Sequence, residues 1–400
     1  MTAPAVSVRV PGRPSRGYDV VVEEGLLGRL GELCREVAPA PRYAVLSDRS
    51  VATLYGDRAL ASLEAAGLSA DLHVFPDGES SKSRDTWTEL TDTLLEVGHG
   101  RDSVVVALGG GVTGDLAGFV AATYMRGLPL VQVPTTLLAM VDSAVGGKTA
   151  VDTPAGKNLV GAFHHPVLVA VDPALLETLE PRHVSAGLSE VVKTAAVADA
   201  TLLDGLEGKA GRLLAGDLEP AAALVRRCVA LKADVVEADP EEAGRRAVLN
   251  FGHTVGHALE RLEDFRMLHG EAVAAGMRVE ARLGELLGVT RRGTAARLAA
   301  VLDACGHTSR PEAGHRAEEV LEAAATDKKG RSGVPRFVLL AEPGRVARTS
   351  RGGYTHDPGT RDLNEMLGYA LRGEREDADS GTRALGEPDP SPTRGSAPRA

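Results

Sequence analysis

The N-terminal part of this 400-residue chain alternates short runs of β-branched residues with amphipathic stretches of helical period. Strands are predicted at Tyr18–Val22, Tyr43–Leu46, Leu72–Phe75, Ser103–Leu108, Leu130–Val133 and Val167–Val171. Helices are predicted between them, for example at Leu26–Val37, Ser50–Ala66 and Ser83–Val97. This alternation is typical of a mainly parallel sheet, because parallel strands need crossover helices that cover the sheet. The sequence therefore predicts a Rossmann-like α/β domain over residues 1–172.

From about Pro173 the strand pattern gives way to long segments rich in Ala, Leu and Glu. These segments are Leu202–Leu214, Pro220–Glu237, Ala247–Glu263, Gly270–Leu287 and Arg297–Ala304. They predict a mostly α-helical domain over residues 173–348, with one short strand or hairpin at Pro335–Leu340. Apolar content falls beyond Thr349, so residues 349–400 are predicted to be a disordered tail.

A glycine-rich segment, Leu108–Ala117, follows a predicted strand and opens a predicted helix. Gly109, Gly111 and Gly114 have the spacing of a dinucleotide-binding loop, in which the backbone approaches a pyrophosphate at a helix N-terminus. That fingerprint also needs an acid after the next strand, and none is found there. Asp48, after an earlier strand, is the better candidate to hold a ribose. The segment fits either a dinucleotide site or a tight strand-to-helix turn.

Three of the 11 histidines, His253, His257 and His269, lie in one short span. The first two share a helix face, and the third begins another predicted helix. Imidazoles from adjacent helix ends can bind one divalent metal, for which zinc is a good fit. Glu190 and Glu271 are the candidate carboxylate ligands. The pattern is not that of a metalloprotease, because no acid directly follows the first histidine.

Polar and cationic side chains accompany glycine-rich turns and helices further along the chain. They are Asp142, Lys148, Lys157, Asn158, Lys193, Lys232 and Arg246. Glycines next to lysines indicate that backbone and ammonium approach a ligand together, although loop lysines are commonly just solvated. Glu190 and Lys193 are three residues apart on one helix face, as in a binding site or in an ordinary surface ion pair.

The formal net charge of −10 argues against a nucleic-acid surface, while leaving room for a small cationic pocket. The three cysteines lack metal-type spacing and are predicted to be buried, reduced thiols of a cytoplasmic protein. The N-terminus lacks a signal-peptide pattern, and no apolar stretch approaches the ~20 residues needed to span a bilayer. Neither a membrane nor a nucleic-acid partner is predicted.

Several motifs occur in the same order as in the 3-dehydroquinate synthase family, which the chain resembles from about Val8 to Ala347. They are Asp77–Lys82, Gly109–Asp115, Met125–Gly127, Pro134–Leu138, Val141–Lys148, Gly156–Asn158, Gly187–Glu190, Leu249–His257 and Leu268–Glu271. Co-linear motifs are far more specific than any single one. Departures from the common pattern occur at Asp152, Glu180, Thr194 and Val255, and none of them removes an implied ligand.

The resemblance implies a phosphorus–oxygen lyase of the shikimate pathway. Its substrate would be 3-deoxy-D-arabino-heptulosonate 7-phosphate, and its products 3-dehydroquinate and phosphate. NAD would be used catalytically, with a hydroxyl oxidised and the hydride later returned. A divalent metal, Zn²⁺ or Co²⁺, would polarise that hydroxyl.

The resemblance also assigns roles by motif position. The implied metal ligands are Glu190, His253 and His269. The implied NAD contacts are Asp48, Glu79, Lys82, Gly110, Gly111, Asp115, Thr135, Thr136, Lys148, Lys157 and Thr178. The implied substrate contacts are Asp142, Lys148, Asn158, Lys193, Lys232, Arg246, Asn250, His257 and either Lys328 or Lys329. Arg126 matches an arginine that reaches the phosphate of a neighbouring subunit, which implies a homodimer.

Three alternatives are open at this stage. A sister cyclase, such as an amino-dehydroquinate or cyclitol synthase of an antibiotic pathway, would share most of these residues. A metal-dependent alcohol or glycerol dehydrogenase would need fewer anion-binding cations and would release NADH. A non-catalytic binding protein is disfavoured by the intact metal and lysine positions. Lys148, Arg246 and Asn250 favour a carboxylate-bearing substrate, hence the family reaction or its amino form.

Overall fold

A seven-stranded sheet forms the N-terminal part of the structure, a computed structural model that describes residues 5–9, 17–325, 335–359 and 363–372. The strands are β1 Ala5–Val8, β2 Tyr18–Val22, β3 Tyr43–Asp48, β4 Ala70–Phe75, β5 Val104–Gly109, β6 Leu130–Pro134, β7 Lys148–Thr153, β8 Gly156–Phe163, β9 Leu168–Val171, β10 Phe337–Val338, β11 Leu340–Glu342, β12 Arg345–Val346 and β13 Thr355–His356. The large sheet has the order β1-β2-β9-β6-β5-β3-β4. Its neighbours are parallel except β1 and β2, which confirms the predicted mainly parallel sheet.

Helices cover the sheet and make up most of the C-terminal part. They are α1 Leu30–Val37, α2 Arg49–Val51, α3 Asp57–Ala65, α4 Arg84–Glu96, α5 Gly111–Thr123, α6 Pro181–Ala198, α7 Ala200–Asp204, α8 Leu206–Leu214, α9 Ala221–Ala238, α10 His253–Leu262, α11 His269–Leu286, α12 Thr294–Ala304, α13 Ala317–Ala325 and α14 Leu363–Arg372. Short 3₁₀ or π-helical turns lie at Leu26–Arg29, Ala52–Gly56, Glu79–Ser81, Tyr124–Arg126, Ala139–Ser143, Pro173–Thr178, Arg245–Asn250 and Pro311–Gly314.

Apolar side chains bury both faces of the sheet. The strand β5 is buried along its whole length, as expected of a parallel strand that reads as a continuous apolar run. One face packs on α4 and α5, and the other shares a core with α6 and α9. A third core lies among α10, α11, α13 and α14. The three cysteines are buried and free, and no described helix has the length and apolarity needed to cross a bilayer.

The order of the strands places two predicted site elements side by side. The chain runs from β3 outward to β4 and then returns to β5 on the other side of β3. Ligands of open α/β sheets bind at the carboxyl ends of the strands where the order reverses in this way. Asp48 ends β3 and Gly109 ends β5, so the glycine loop lies at that reversal.

The structure differs from the sequence prediction in three places. Lys148, Lys157 and Asn158, predicted to lie in or beside glycine-rich turns, belong to the antiparallel hairpin β7–β8. The helix predicted at Ala247–Glu263 is broken at Gly252, whose φ of 82° is left-handed, so His253 begins α10 instead of lying mid-helix. The predicted disordered tail begins too early, because β13 pairs with β10 and the apolar face of α14 packs in the third core. The boundary at residue 172 stays a prediction.

Glycines let α10 and α11 approach closely. A Cβ at Gly276 would lie 1.9 Å from the carbonyl oxygen of Gly252, and one at Gly270 would lie 2.0 Å from that of Ala186 on α6. Glu280 of α11 also accepts hydrogen bonds from the N–H groups of Gly252 (2.8 Å) and Val255 (3.1 Å). These contacts fix the N-termini of the two helices relative to each other and to α6.

We predict that Gly276→Ala lowers the free energy of unfolding by about 1–3 kcal/mol, because the added methyl group has no space between the helices. The matched control is Gly208→Ala on α8, where a Cβ meets nothing within 4 Å. That change should be neutral or stabilising, since it removes a helical glycine. Urea denaturation of both variants measures the difference, and an undiminished stability of Gly276→Ala would contradict the packing argument.

Candidate active site

Glu190, His253 and His269 converge in the helical part of the molecule. Glu190 lies on the buried helix α6, and each histidine is the first residue of its helix. The Nε2 atoms of His253 and His269 lie 3.8 and 3.5 Å from Glu190 Oε1. One potential ligand atom from each residue lies within 4.8 Å of the others. Two imidazoles and a carboxylate are a donor set that suits zinc and similar divalent ions.

The Glu190 carboxylate is buried, with 1% of the side chain exposed. Lys193 forms an ion pair with it, yet neither oxygen accepts a well-formed hydrogen bond from any described residue. Burial favours a higher pKa for Glu190, but Lys193 and His269 outweigh it and lower the pKa, so the group is ionised. Glu190 thus pairs with Lys193 through Oε2 and directs Oε1 at two imidazoles, an arrangement that fits a cation bound beside Oε1.

The ring of His269 lies between two carboxylates. Its Nδ1 is 3.4 Å from Glu260 Oε2, while its Nε2 faces Glu190. Burial disfavours the charged ring, but these carboxylates outweigh it and raise the pKa of His269 to about 10. The position therefore attracts positive charge, which a proton supplies when a metal does not.

The remaining candidate ligands, His257 and Glu271, have different surroundings from the three residues above. His257 stacks edge-on to His253, with ring centroids 5.3 Å apart, and joins Glu260 and His269 in a second possible ligand set. Glu271 lies outside both sets. Its carboxylate accepts two hydrogen bonds from Arg182 (2.7 and 2.8 Å) and one from the Leu268 N–H. The prediction that Glu271 is a candidate metal ligand is therefore wrong.

A buried cationic cluster adjoins the histidines. The Asp142 carboxylate lies 3.1 Å from Lys193 Nζ and 2.9 Å from Lys232 Nζ. Burial favours a higher pKa for Asp142, but the two ammonium groups hold it well below its usual range. Burial lowers the pKa of Lys232 to about 8, with Asp142 acting in the opposite direction. Since Lys193 contacts both Glu190 and Asp142, the metal-type and cationic groups form one continuous site.

Lys148, Arg246 and Asn250 surround a glutamate that the sequence analysis did not select. Glu242 lies 2.6 Å from Lys148 Nζ and accepts a hydrogen bond from Asn250 (3.0 Å). Arg246 is buried and donates to the carbonyl oxygens of Gly146 (2.8 Å) and Pro240 (2.7 Å). Burial lowers the pKa of Arg246, whereas Lys148 keeps 49% of its side chain exposed. The structure thus brings these predicted substrate residues together.

The glycine loop meets the geometric needs of a nucleotide site. Gly110 caps α5 without any side-chain hydrogen bond. A Cβ at Gly110 would lie 3.1 Å from Thr136, and one at Gly111 would lie 3.3 Å from Ser143. The hydroxyl of the buried Thr135 has no hydrogen-bond partner among the described residues. A crowded backbone at a 13-residue helix N-terminus, beside a free hydroxyl, fits a bound phosphate-containing cofactor.

The remaining predicted nucleotide residues line the same edge of the sheet. Lys82 is buried and donates to Asp115 (2.7 Å), with Glu79 at 3.9 Å. Asp48 caps α2 through the Val51 N–H and accepts a hydrogen bond from Thr113, both at 3.0 Å. Its carboxylate therefore already has structural partners. The Thr178 hydroxyl hydrogen-bonds to that of Tyr55 at 2.5 Å.

Lys157, Asn158 and Arg126 lie on less buried parts of the molecule. The hairpin strand β8 carries Lys157 and Asn158, and Asn158 adopts a left-handed φ of 56°. Arg126 is exposed and follows the C-terminus of α5, about 20 Å along that helix from the glycine loop. It therefore lies at the opposite end of α5 from the glycine loop. Lys328 and Lys329 lie outside the described residues.

Sequence reasoning missed Glu242 and Glu260. The spacing of Glu260 carried a usable signal, because His253, His257 and Glu260 occur at i, i+4 and i+7 and so share one face of α10. Glu242 offered no such signal. It lies in an irregular segment with a left-handed φ of 59°, and only the fold brings it to Lys148.

Two protein-family models together match nearly two thirds of the chain. The family described as 3-dehydroquinate synthase N-terminal matches residues 72–186, and that described as 3-dehydroquinate synthase C-terminal matches residues 187–330. A curated relative, the 3-dehydroquinate synthase of Symbiobacterium thermophilum, is 48% identical over 335 residues. The aligned region covers 83% of this chain and 93% of that protein.

Solved structures of sugar-phosphate cyclases share the fold. ValA (2-epi-5-epi-valiolone synthase) from Streptomyces hygroscopicus subsp. jinggangensis 5008, with NAD⁺ and Zn²⁺ bound, aligns with a TM-score of 0.80 at 30% identity, covering 91% of this chain and 99% of that one. 2-Deoxy-scyllo-inosose synthase complexed with carbaglucose-6-phosphate, NAD⁺ and Co²⁺ gives a TM-score of 0.83 at 24% identity, covering 92% and 100%.

We predict that Asp142→Asn lowers the free energy of unfolding by about 3–5 kcal/mol, because the buried Lys232 loses its carboxylate partner and Lys193 keeps only Glu190. Chemical denaturation at pH 7 measures this change. The control is Asp217→Asn, which removes an exposed ion pair with Arg212 and should leave stability nearly unchanged. Equal losses of unfolding free energy in the two variants would contradict the view that the Asp142 carboxylate stabilises buried ammonium groups.

Proposed function

This chain belongs to the 3-dehydroquinate synthase family, and we propose that it converts 3-deoxy-D-arabino-heptulosonate 7-phosphate to 3-dehydroquinate and phosphate at the site described above. The observation that carries the proposal is the position of Lys193. It contacts Glu190 of the metal-type cluster and Asp142 of the cationic cluster at once. A substrate with a hydroxyl to be oxidised, a carboxylate and a phosphate needs both kinds of site side by side.

The proposed metal ligands are Glu190, His253 and His269. When bound there, Zn²⁺ or Co²⁺ would polarise a substrate hydroxyl as a Lewis acid. Support comes from the donor set and from the buried Glu190 carboxylate, whose Oε1 faces both imidazoles. The histidines are the first residues of two helices that glycine contacts hold close together, so the backbone already places both rings beside Glu190.

The proposed NAD site is the glycine loop at the end of β5 with the residues around it. Gly110 and Gly111 would let the backbone N–H groups of α5 approach the pyrophosphate, and Thr135 would supply its free hydroxyl. Asp48, Glu79, Lys82, Asp115, Thr136, Lys148, Lys157 and Thr178 complete the proposed set. The cofactor would accept a hydride and return it within one turnover.

The proposed substrate residues neutralise two anionic groups. They are Asp142, Lys148, Asn158, Lys193, Lys232, Arg246, Asn250, His257 and Lys328 or Lys329. Charged hydrogen bonds from lysine and arginine are the strongest available to carboxylate and phosphate, and fixed donors need no reorganisation as charge develops. Asp142 would keep Lys193 and Lys232 in place before the substrate arrives.

We further propose a homodimer that works in the cytoplasm. Arg126 is exposed at the far end of α5 from the glycine loop, where it is available to a second subunit. The three free, buried cysteines are consistent with a reducing compartment.

We predict that the purified protein releases phosphate from the heptulosonate phosphate with NAD present in less than stoichiometric amount and with Zn²⁺ or Co²⁺. NADH should not accumulate, because the hydride returns to the product. Coupled phosphate detection and product identification measure the reaction. Absence of phosphate release would reject this substrate and leave the amino or cyclitol analogues, whereas stoichiometric NADH would indicate a dehydrogenase.

We predict that His269→Ala abolishes both turnover and metal binding, because two remaining ligands hold a divalent ion poorly. Metal content after dialysis measures binding directly. The control is His315→Ala, which removes a histidine that pairs with Glu263 outside both ligand sets and should retain the ion. Full metal retention by His269→Ala would refute the proposed ligands.

A further inference from the structure

Glu260 is a buried carboxylate of α10 that none of the proposed site roles uses. Only 2% of its side chain is exposed. A buried carboxylate needs defined partners, and here they come from two different parts of the molecule.

Its first partner is a proposed metal ligand. Glu260 Oε2 lies 3.4 Å from His269 Nδ1, on the opposite side of the ring from Glu190. The Nδ1 atom of His253 also faces an acceptor, the carbonyl oxygen of Phe251 at 3.2 Å. A neutral carbonyl is a weaker acceptor than the Glu260 carboxylate. In both rings the acceptor at Nδ1 favours the tautomer that carries its proton there, so that Nε2 is the nitrogen that would bind a metal.

Its second partner is Lys157, on the hairpin strand β8. Lys157 Nζ lies 3.1 Å from Glu260 Oε1 and 3.6 Å from Glu79 Oε1. It also lies 4.6 Å from the centroid of the Phe265 ring. Lys157 therefore holds the other oxygen of Glu260 and neutralises part of its charge, so the carboxylate is fixed at both ends.

We propose that Glu260 is a positioning residue that holds the His269 ring with Nδ1 protonated and Nε2 directed at the metal position. This inference rests on the proposed metal centre. A carboxylate that accepts a hydrogen bond from Nδ1 orients the ring and makes Nε2 a stronger metal ligand. Its loss typically weakens metal affinity about 10–100-fold. The competing explanation is that Glu260 serves only as a tether for Lys157 and the hairpin.

Titration of metal-free protein with Co²⁺ separates these explanations, because the visible spectrum of bound Co²⁺ reports its ligand geometry. Glu260→Gln keeps the shape but loses the charge, and we expect about 10–100-fold weaker Co²⁺ binding and an altered spectrum. Glu260→Asp keeps the charge and should recover part of the affinity. Thermal unfolding of the metal-free variants shows that each is folded.

Two further variants serve as controls. Glu263→Gln makes the same chemical change at the end of α10, where the side chain pairs with His315, and should keep the wild-type affinity and spectrum. Lys157→Met removes the tether but leaves the contact between Glu260 and His269, so Co²⁺ binding should be largely retained. A loss in Lys157→Met equal to that in Glu260→Gln would support the tether and overturn the proposal.

Unchanged Co²⁺ affinity and spectrum in Glu260→Gln would also overturn it, while leaving the metal centre intact. If Glu260→Gln does not fold, Glu260→Asp and Lys157→Met decide the proposal. An altered Co²⁺ spectrum in Glu260→Asp together with a wild-type spectrum in Lys157→Met would support it. A wild-type spectrum in Glu260→Asp together with an altered one in Lys157→Met would overturn it. If the wild-type protein binds no Co²⁺, or His269→Ala binds it equally well, the metal centre itself is rejected together with the role of Glu260.

Discussion

The close contact between α10 and α11 is the constraint on which the site depends. The backbone of Gly252 packs against Gly276, where any side chain would collide with it. The backbone of Ala186 on α6 packs against Gly270 in the same way. Because His253 and His269 are the first residues of these helices, the glycine contacts set the distance between their rings. Glu190 then faces both rings from the buried side of α6. Backbone packing, more than side-chain choice, thus creates the metal-type geometry.

The second constraint is the large amount of charge buried beside that contact. Glu190, Asp142, Lys193 and Lys232 lie within one network, in which each carboxylate contacts at least one ammonium group. Such a network costs desolvation energy and is weak support for stability by itself. In the proposed function its value is catalytic, because the carboxylates would hold the ammonium groups in a preorganised arrangement for an anionic substrate.

Much of the fold could be predicted from the sequence. The six predicted strands of the N-terminal half all occur in the sheet, because buried parallel strands have a continuous apolar signature. The hairpin β7–β8 was missed because glycines and charged residues interrupt its apolar residues, and α14 was missed because its amphipathic pattern lies in a polar context. The histidine pair and the glycine loop were visible from spacing alone. The pairing of Glu242 with Lys148 and of Glu260 with Lys157 was not, since these partners are 94 and 103 residues apart in the chain.

The sequence by itself determined the order of strands and helices, the family, and which residue types are available for a metal, a nucleotide and an anion. Periodicity and local spacing carry that information, because they depend on neighbours within one or two helical turns. Residue spacing left both Glu190 and Glu271 as candidate ligands, and the tertiary structure shows that Glu271 faces Arg182 while Glu190 faces the histidines. Only the tertiary structure decided the partners of Glu260, whose two oxygens contact His269 and Lys157. These choices depend on where helices cross, and the crossing points follow from glycine contacts between residues far apart in the chain.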